Sequence, residues 1–209
     1  MSQEAPIIGI ERHRIPIDGN GVTTLVGFYG CPLRCRYCLN PQSWNPEHQP
    51  RIFTTESLYD RVKIDQLYFL ATGGGITFGG GEPLLYPDFI LEFRKLCGPE
   101  WNLTLETALN VPMANLQRLA PAINDYIIDI KDMSPDIYRH YTGKDNAVVK
   151  ENLQWLINQN IAEHITIRIP HIPNFNTDED IVRSREELQK IGILHLDEFH
   201  YKIQQKSKI

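Results

Sequence analysis

Two periodicities alternate along this chain from one end to the other. Val22 to Tyr29, Ile76 to Phe78, Leu103 to Leu105, Tyr126 to Ile130, Ile165 to Ile169 and Leu194 to Phe199 are short apolar runs that read as strands. Ser57 to Ala71, Pro87 to Cys97, Met113 to Leu119, Val148 to Asn158 and Thr177 to Ile191 read as helices. On the Pro87 to Cys97 segment, Phe89, Phe93, Leu96 and Cys97 share one face, and the segment starts on proline and stops at Gly98-Pro99. Thr54 or Thr55 is a candidate cap for the first helix, and Thr177 with Asp180 forms a weaker capping box at the last.

This order makes six strand–helix units, less a final helix, and nearly exhausts 209 residues, since each unit takes roughly 30 residues or more. Alternation of this kind gives a parallel sheet with helices outside. Six strands are too few for the closed eight-stranded barrel. The expected fold class is therefore α/β, a partial (β/α)6 TIM-like barrel formed by one domain over residues 1–209. The stretch Leu39 to Thr54, with Pro41, Pro46 and Pro50, reads as a long irregular connection.

Composition narrows the class only a little. Hydrophobic residues make up 42% and charged residues 22%, as in ordinary globular chains. The net charge is -5 with no basic stripe, which argues against nucleic acid as a partner. No apolar run approaches the roughly 20 residues needed to span a bilayer. Met1 to Ala5 shows no signal-peptide pattern, so a cytoplasmic, monomeric protein without a membrane partner is expected. Lys202 to Ile209, with three lysines and no acid, reads as a solvated, flexible tail.

The cysteines carry the first chemical signal. Cys31, Cys35 and Cys38 lie together after the first strand, and Cys97 stands alone on an apolar helix face, where it reads as a small core residue. Tight spacing points to a metal site rather than a disulfide framework. Thiolates suit iron–sulfur clusters and zinc alike. Zinc would need a fourth ligand, and His13 or His48 are the candidates. Three thiolates on a four-iron cubane would leave one iron open to a substrate. A second signal is Thr77-Phe-Gly79-Gly80-Gly81-Glu82-Pro83, which follows a strand. By itself it reads equally as a tight turn or as a place where a ligand lies against bare backbone, with the Glu82 carboxylate suited to an amino group.

Together these motifs resemble the radical S-adenosylmethionine (SAM) superfamily: C-x3-C-x2-C with Tyr37 before the last cysteine, then a strand-end Gly-Gly-Glu-Pro. The likeness extends to the activating enzymes of glycyl radical enzymes. Asp18-Gly-Asn-Gly21, Asn40, Trp44, Gly74 to Leu85, Asp129-Ile-Lys131, Thr142-Gly143, Glu151-Asn-Leu153 and Arg168 to Asn176 all resemble that family's motifs. It covers roughly Asp18 to Phe199. Three departures stand out: Leu39 replaces a usual His, Glu106-Thr107 replaces a usual Asp-Thr, and the chain stops soon after the sixth strand. No cysteines occur between Cys38 and Cys97, so a ferredoxin-like insert is not expected.

The resemblance implies one 4Fe–4S cluster on Cys31, Cys35 and Cys38, with SAM as its ligand. It further implies reductive cleavage to a 5′-deoxyadenosyl radical, for hydrogen abstraction from a backbone glycine of a glycyl radical enzyme. Flavodoxin or ferredoxin is implied as electron donor. Gly79, Gly80, Gly81 and Glu82 would line the amino-acid end of SAM, Glu106 would receive its amino group, and Tyr37 would pack near the adenine. Asp129, Lys131 and Arg168 complete the implied cofactor-binding set. Salt bridging is the plain alternative for Asp129 and Lys131, and an ordinary surface carboxylate for Glu106. A buried Arg168 needs a carboxylate partner, on SAM or on the protein. A monovalent cation at Glu106, Thr107 and Asp129 is a further expectation. His171 and His200 receive no role. The rival readings are a radical SAM enzyme acting on a peptide or small molecule, and a zinc-stabilised binding module.

Overall fold

The computed structural model describes residues 2–15 and 17–201; the tail reading at residues 202–209 lies outside them. One eight-stranded open sheet organises the chain, in the order β3-β1-β2-β4-β5-β6-β7-β8. Its strands are β1 (Glu4–Arg14), β2 (Thr23–Phe28), β3 (Arg51–Thr54), β4 (Gly75–Gly80), β5 (Asn102–Thr107), β6 (Asp125–Asp129), β7 (Ile165–His171) and β8 (His195–His200). The six strands from β2 through β4 to β8 run parallel, and they are the six expected from the sequence. Their C-terminal ends therefore share one edge. The helices are α1 (Thr55–Val62), α2 (Gln66–Thr72), α3 (Pro87–Cys97), α4 (Met113–Leu119), α5 (Pro135–Thr142), α6 (Ala147–Ile157) and α7 (Asp178–Lys190). No described helix is long and apolar enough to cross a membrane.

Each parallel strand divides its residues between two faces. Ile76, Phe78, Leu103, Leu105, Tyr126, Ile128, Ile165 and Ile167 are buried against the helices. Trp101 closes the lower part of this core, ringed by Tyr59, Phe69 and Phe93. The other face is polar. Thr77 donates its hydroxyl to the carbonyl of Asp18, and Arg168 donates to the carbonyl of Ile17. The segment 17–21 thus enters the barrel from the N-terminal end, with Asp18 buried and ion-paired to Arg14.

Three differences from the sequence reading have physical causes. First, β1 and β3 add an antiparallel ribbon beside β2, and β3 takes up the end of the Leu39–Thr54 connection. Arg51 to Thr54 pairs with β1, from which it is more than 35 residues away in sequence, so local pattern carries no sign of it. Second, the helix read as Ser57 to Ala71 is broken by a tighter turn at Lys63–Asp65. Asp65 is drawn fully inside, where Arg12 donates to it at 2.7 and 2.5 Å, His13 lies at 3.0 Å and Thr24 donates at 3.3 Å. Third, α5 was not anticipated, although Pro135 at its start and Gly143 in left-handed conformation past its end are the usual signals. The expected caps are present: Thr54 accepts from Ser57 N, and Thr177 with Asp180 forms both arms of a capping box.

The Arg12 hydrogen bonds, opposed by burial, hold the Asp65 carboxyl below its usual pKa. A lowered carboxyl contributes stability above the unfolded value near 3.9, and that contribution is lost as pH falls through the folded value. Asp65→Asn is expected to cost about 2 kcal/mol at pH 7, allowing for a partly exposed Arg12. Urea unfolding at pH 7 and pH 3 checks this, since the difference between parent and variant should shrink at the lower pH.

Candidate active site

The parallel edge gathers chemistry from five strands, β2 and β4 to β7. After β2 the chain runs Tyr29-Gly30 into the loop holding Cys31, Cys35 and Cys38, all three free and half-buried. Backbone bonds fix that loop from three sides: Gly30 N donates to Ser43 O, Arg34 N to Thr142 O and Arg36 N to Tyr141 O. After β4, Gly81 N donates to Phe28 O at 2.9 Å and Glu82 N to Gly30 O at 2.8 Å. A methyl group on Gly81 would stand 2.1 Å from the Gly30 carbonyl oxygen, so only glycine permits this approach. The glycine run is therefore first a packing requirement against the cysteine loop.

Glu82 lies fully inside the protein. Thr107 donates its hydroxyl to Oε1 at 2.7 Å, Leu84 N donates to Oε1 at 3.2 Å, and Ala108 N donates to Oε2 at 3.1 Å. The carboxylate thus joins the loop after β4 to the end of β5. Burial pushes its pKa up to about 7, against those three donors.

Beside it lie two ion pairs. Arg168 on β7 donates to Glu106 Oε1 at 2.9 Å, and Lys131 meets Asp129 Oδ2 at 2.9 Å. All four side chains are at most 24% exposed, so these are nearly desolvated pairs rather than surface ones. Glu106 lies over Gly79, whose missing side chain leaves it room: a methyl there would be 3.0 Å from Oε2. Burial, and behind it the charge of Asp129, raises the Glu106 pKa, with Arg168 opposing. Burial alone would lower Lys131; the charge of Asp129 outweighs it and holds the ammonium well above its usual value. Lys131 reaches this position because its backbone is left-handed, with φ 62°, directly after β6. Tyr37 stands in an aromatic group with Tyr141, Phe175 and Tyr201 and accepts from Asn174 at 3.3 Å.

The donor set fits a thiolate cluster. Burial raises Cys35, and burial with the Glu82 charge pushes Cys31 up to about 12, so these are inert thiols that become thiolates on binding metal. Among the described residues no three His, Cys, Asp or Glu side chains converge on a point for a single ion. His13, one candidate for a zinc ligand, is held by Asp65 near the opposite end of the barrel. His48 stacks on Tyr29 at 6.4 Å between ring centres. Cys97 is buried on α3, with its thiol facing the Arg94 and Gly98 carbonyls.

Four asparagines shape the mouth; Asn40 and Asn152 fall in segments that carry the family resemblance, whereas Asn115 and Asn146 carried no signal in the sequence. Asn152, fully buried on α6, donates to Leu109 O and Val111 O, and Asn146 donates to Asp132 O and Met133 O. Asn115 donates to Leu84 O, and Asn40 to Gly80 O. Besides its place in Glu151-Asn-Leu153, Asn152 leaves one further trace in the sequence, a polar amide inside an otherwise apolar helix face.

The Radical SAM superfamily matches residues 25–188. The chain belongs to the radical SAM superfamily. Among relatives in this group, it is 32% identical to the pyruvate formate-lyase-activating enzyme of Clostridium pasteurianum, over 83% of this chain and 72% of that one. It is 29% identical to the (2S)-3-sulfopropanediol dehydratase activating enzyme of Klebsiella oxytoca, over 85% and 75%. The fold is also that of Streptococcus suis SuiB bound to S-adenosylmethionine, with TM-score 0.63 at 15% identity over 86% of this chain and 40% of SuiB. This chain thus spans about two fifths of that structure's length.

Glu82→Ala should leave three buried donors unsatisfied. We expect a loss of about 3 kcal/mol, seen as a melting temperature lower by roughly 6–12 °C for a chain of this size. Calorimetry on the metal-free protein measures it.

Proposed function

We propose that this chain activates a glycyl radical enzyme by creating a radical on a backbone glycine of that partner. The observation that carries the reading is the meeting of three half-buried thiols with two largely desolvated ion pairs at one barrel edge. Similarity to activating enzymes across more than four fifths of the chain supports it. Cys31, Cys35 and Cys38 would hold one 4Fe–4S cluster. When bound, the cluster and SAM supply the chemistry: one electron cleaves the sulfonium to methionine and a 5′-deoxyadenosyl radical, which takes a hydrogen atom from glycine.

The chain's own residues bind, orient and shield. Glu106 offers its second carboxylate oxygen to the amino group of SAM, and Lys131 and Arg168 offer cations to its carboxylate. The Gly79–Gly81 backbone lines the amino-acid end, and Tyr37 faces the adenine end. Glu82 acts from behind, keeping β4 and β5 in register at the site. Flavodoxin or ferredoxin would deliver the electron, in the cytoplasm of an anaerobic cell, to a monomeric enzyme of one domain.

The experiment is to mix anaerobically reconstituted protein, reductant and SAM with the glycyl radical enzyme encoded beside it. A doublet in electron paramagnetic resonance that collapses on Cα deuteration of the partner glycine is expected. Serine at Cys31, Cys35 or Cys38 should remove both iron and signal, and Cys97→Ser should keep them. A partner that gains no radical but carries a new covalent mark would instead show peptide modification.

A hard monovalent cation beside SAM at Glu106, Thr107 and Asp129 is part of the proposal; Asp129 Oδ1 accepts no hydrogen bond among the described residues, while the Thr107 hydroxyl is already engaged with Glu82 and Leu109 N. Potassium or sodium should then speed formation of 5′-deoxyadenosine relative to a bulky organic cation. Asp129→Asn should abolish that difference, and equal rates in both salts would refute the cation.

A further inference from the structure

Arg34 lies between the first and second cysteines, on the exposed side of the loop, yet its side chain folds back onto the loop itself. Nη1 donates to the Cys31 carbonyl at 2.6 Å and to the Leu33 carbonyl at 2.7 Å. The guanidinium carbon stands 5.2 Å from the centre of the Trp44 ring, within range of a cation–π contact. Its own amide is tied to Thr142 O at 2.9 Å. Arg34 is therefore fixed by its main chain, its donors and its planar face. Its partners are carbonyls and a ring, which leave its positive charge un-neutralised.

The two carbonyls that Arg34 holds bracket the Pro32–Leu33 peptide. Pro32 fixes its own φ between them. Arg36, two residues on, is exposed and anchored through its amide, to Tyr141 O. The same loop thus carries one arginine turned inward and one turned out.

We propose that Arg34 is the positioning residue of the cysteine loop, holding the Cys31 and Leu33 carbonyls from one nitrogen, stacking on Trp44 and keeping a fixed cation on the loop that would carry the cluster. This rests on the cluster reading above. Reduction adds a negative charge to the cluster, so a cation fixed on the ligating loop favours the reduced state and raises the potential. Solvent screens the charge of an exposed guanidinium, so the shift in potential is modest and the hold on the loop is the larger effect. The same clamp keeps the loop in its ligating shape and so slows loss of iron.

The test uses the full chain, reconstituted anaerobically, without SAM, so that turnover plays no part. The readouts are the cluster's midpoint potential and the rate of iron release to a chelator. Arg34→Ala should move the potential to more negative values and speed iron release on the order of tenfold. Arg34→Lys keeps a charge but loses the planar stack on Trp44, and should fall between alanine and parent. It carries the measurement if Arg34→Ala takes up too little iron to titrate. Arg36→Ala should match the parent. Parent values in Arg34→Ala or Arg34→Lys, or an equal shift in Arg36→Ala, would overturn the proposal. A parent protein that takes up no iron–sulfur cluster would overturn the functional reading instead.

Discussion

Two backbone hydrogen bonds, Gly81 to Phe28 and Glu82 to Gly30, join the cysteine loop to the loop after β4. They require β2 and β4 to approach so closely that side chains are excluded between them, and the glycines satisfy that requirement. Once the two loops are joined, Glu82 is carried into the interior, where it accepts from Thr107, Leu84 and Ala108. The end of β5 is thereby set against the end of β4, and Glu106 is brought over Gly79. Three thiols and a carboxylate from distant parts of the chain share one edge through a handful of backbone contacts.

The polar lumen is costly in isolation. Charges removed from water lose hydration that their mutual attraction only partly replaces. Pairing Arg168 with Glu106 and Lys131 with Asp129 offsets most of that loss. Arg168 is further held by the Ile17 carbonyl on the segment that enters the barrel from below. A zwitterionic ligand such as the amino-acid end of SAM can exchange with such pairs at little net cost, because it offers an opposite charge to each group it displaces.

The mouth loops also depend on side-chain amides. Asn40, Asn115, Asn146 and Asn152 each donate to a backbone carbonyl of a segment near the sheet's C-terminal edge. Irregular segments have carbonyls that no ladder satisfies, and burying one unpaired is unfavourable. The asparagines meet that need without adding charge to an edge that already holds five buried or half-buried ionisable groups.

The six parallel strands, five of the helical segments and the three-cysteine loop were legible because each has a local cause. Strands such as Ile165 to Ile169 declare themselves by burial pattern, α7 by its capping box, and the cysteine loop by thiol spacing. The left-handed turn that brings Lys131 beside Asp129 left no local trace, nor did the carbonyls that the asparagines hold or the pairing of Arg51–Thr54 with β1. Arg34 is a single arginine in sequence; its two carbonyls and its tryptophan face exist only in the fold. Sequence by itself determined which chemistries are present and the order of the elements, because periodicity and ligand spacing are local properties. Tertiary structure alone decided which charges pair, which carboxylate is buried as a strut and which glycines are obligatory, because those depend on how closely distant backbones approach.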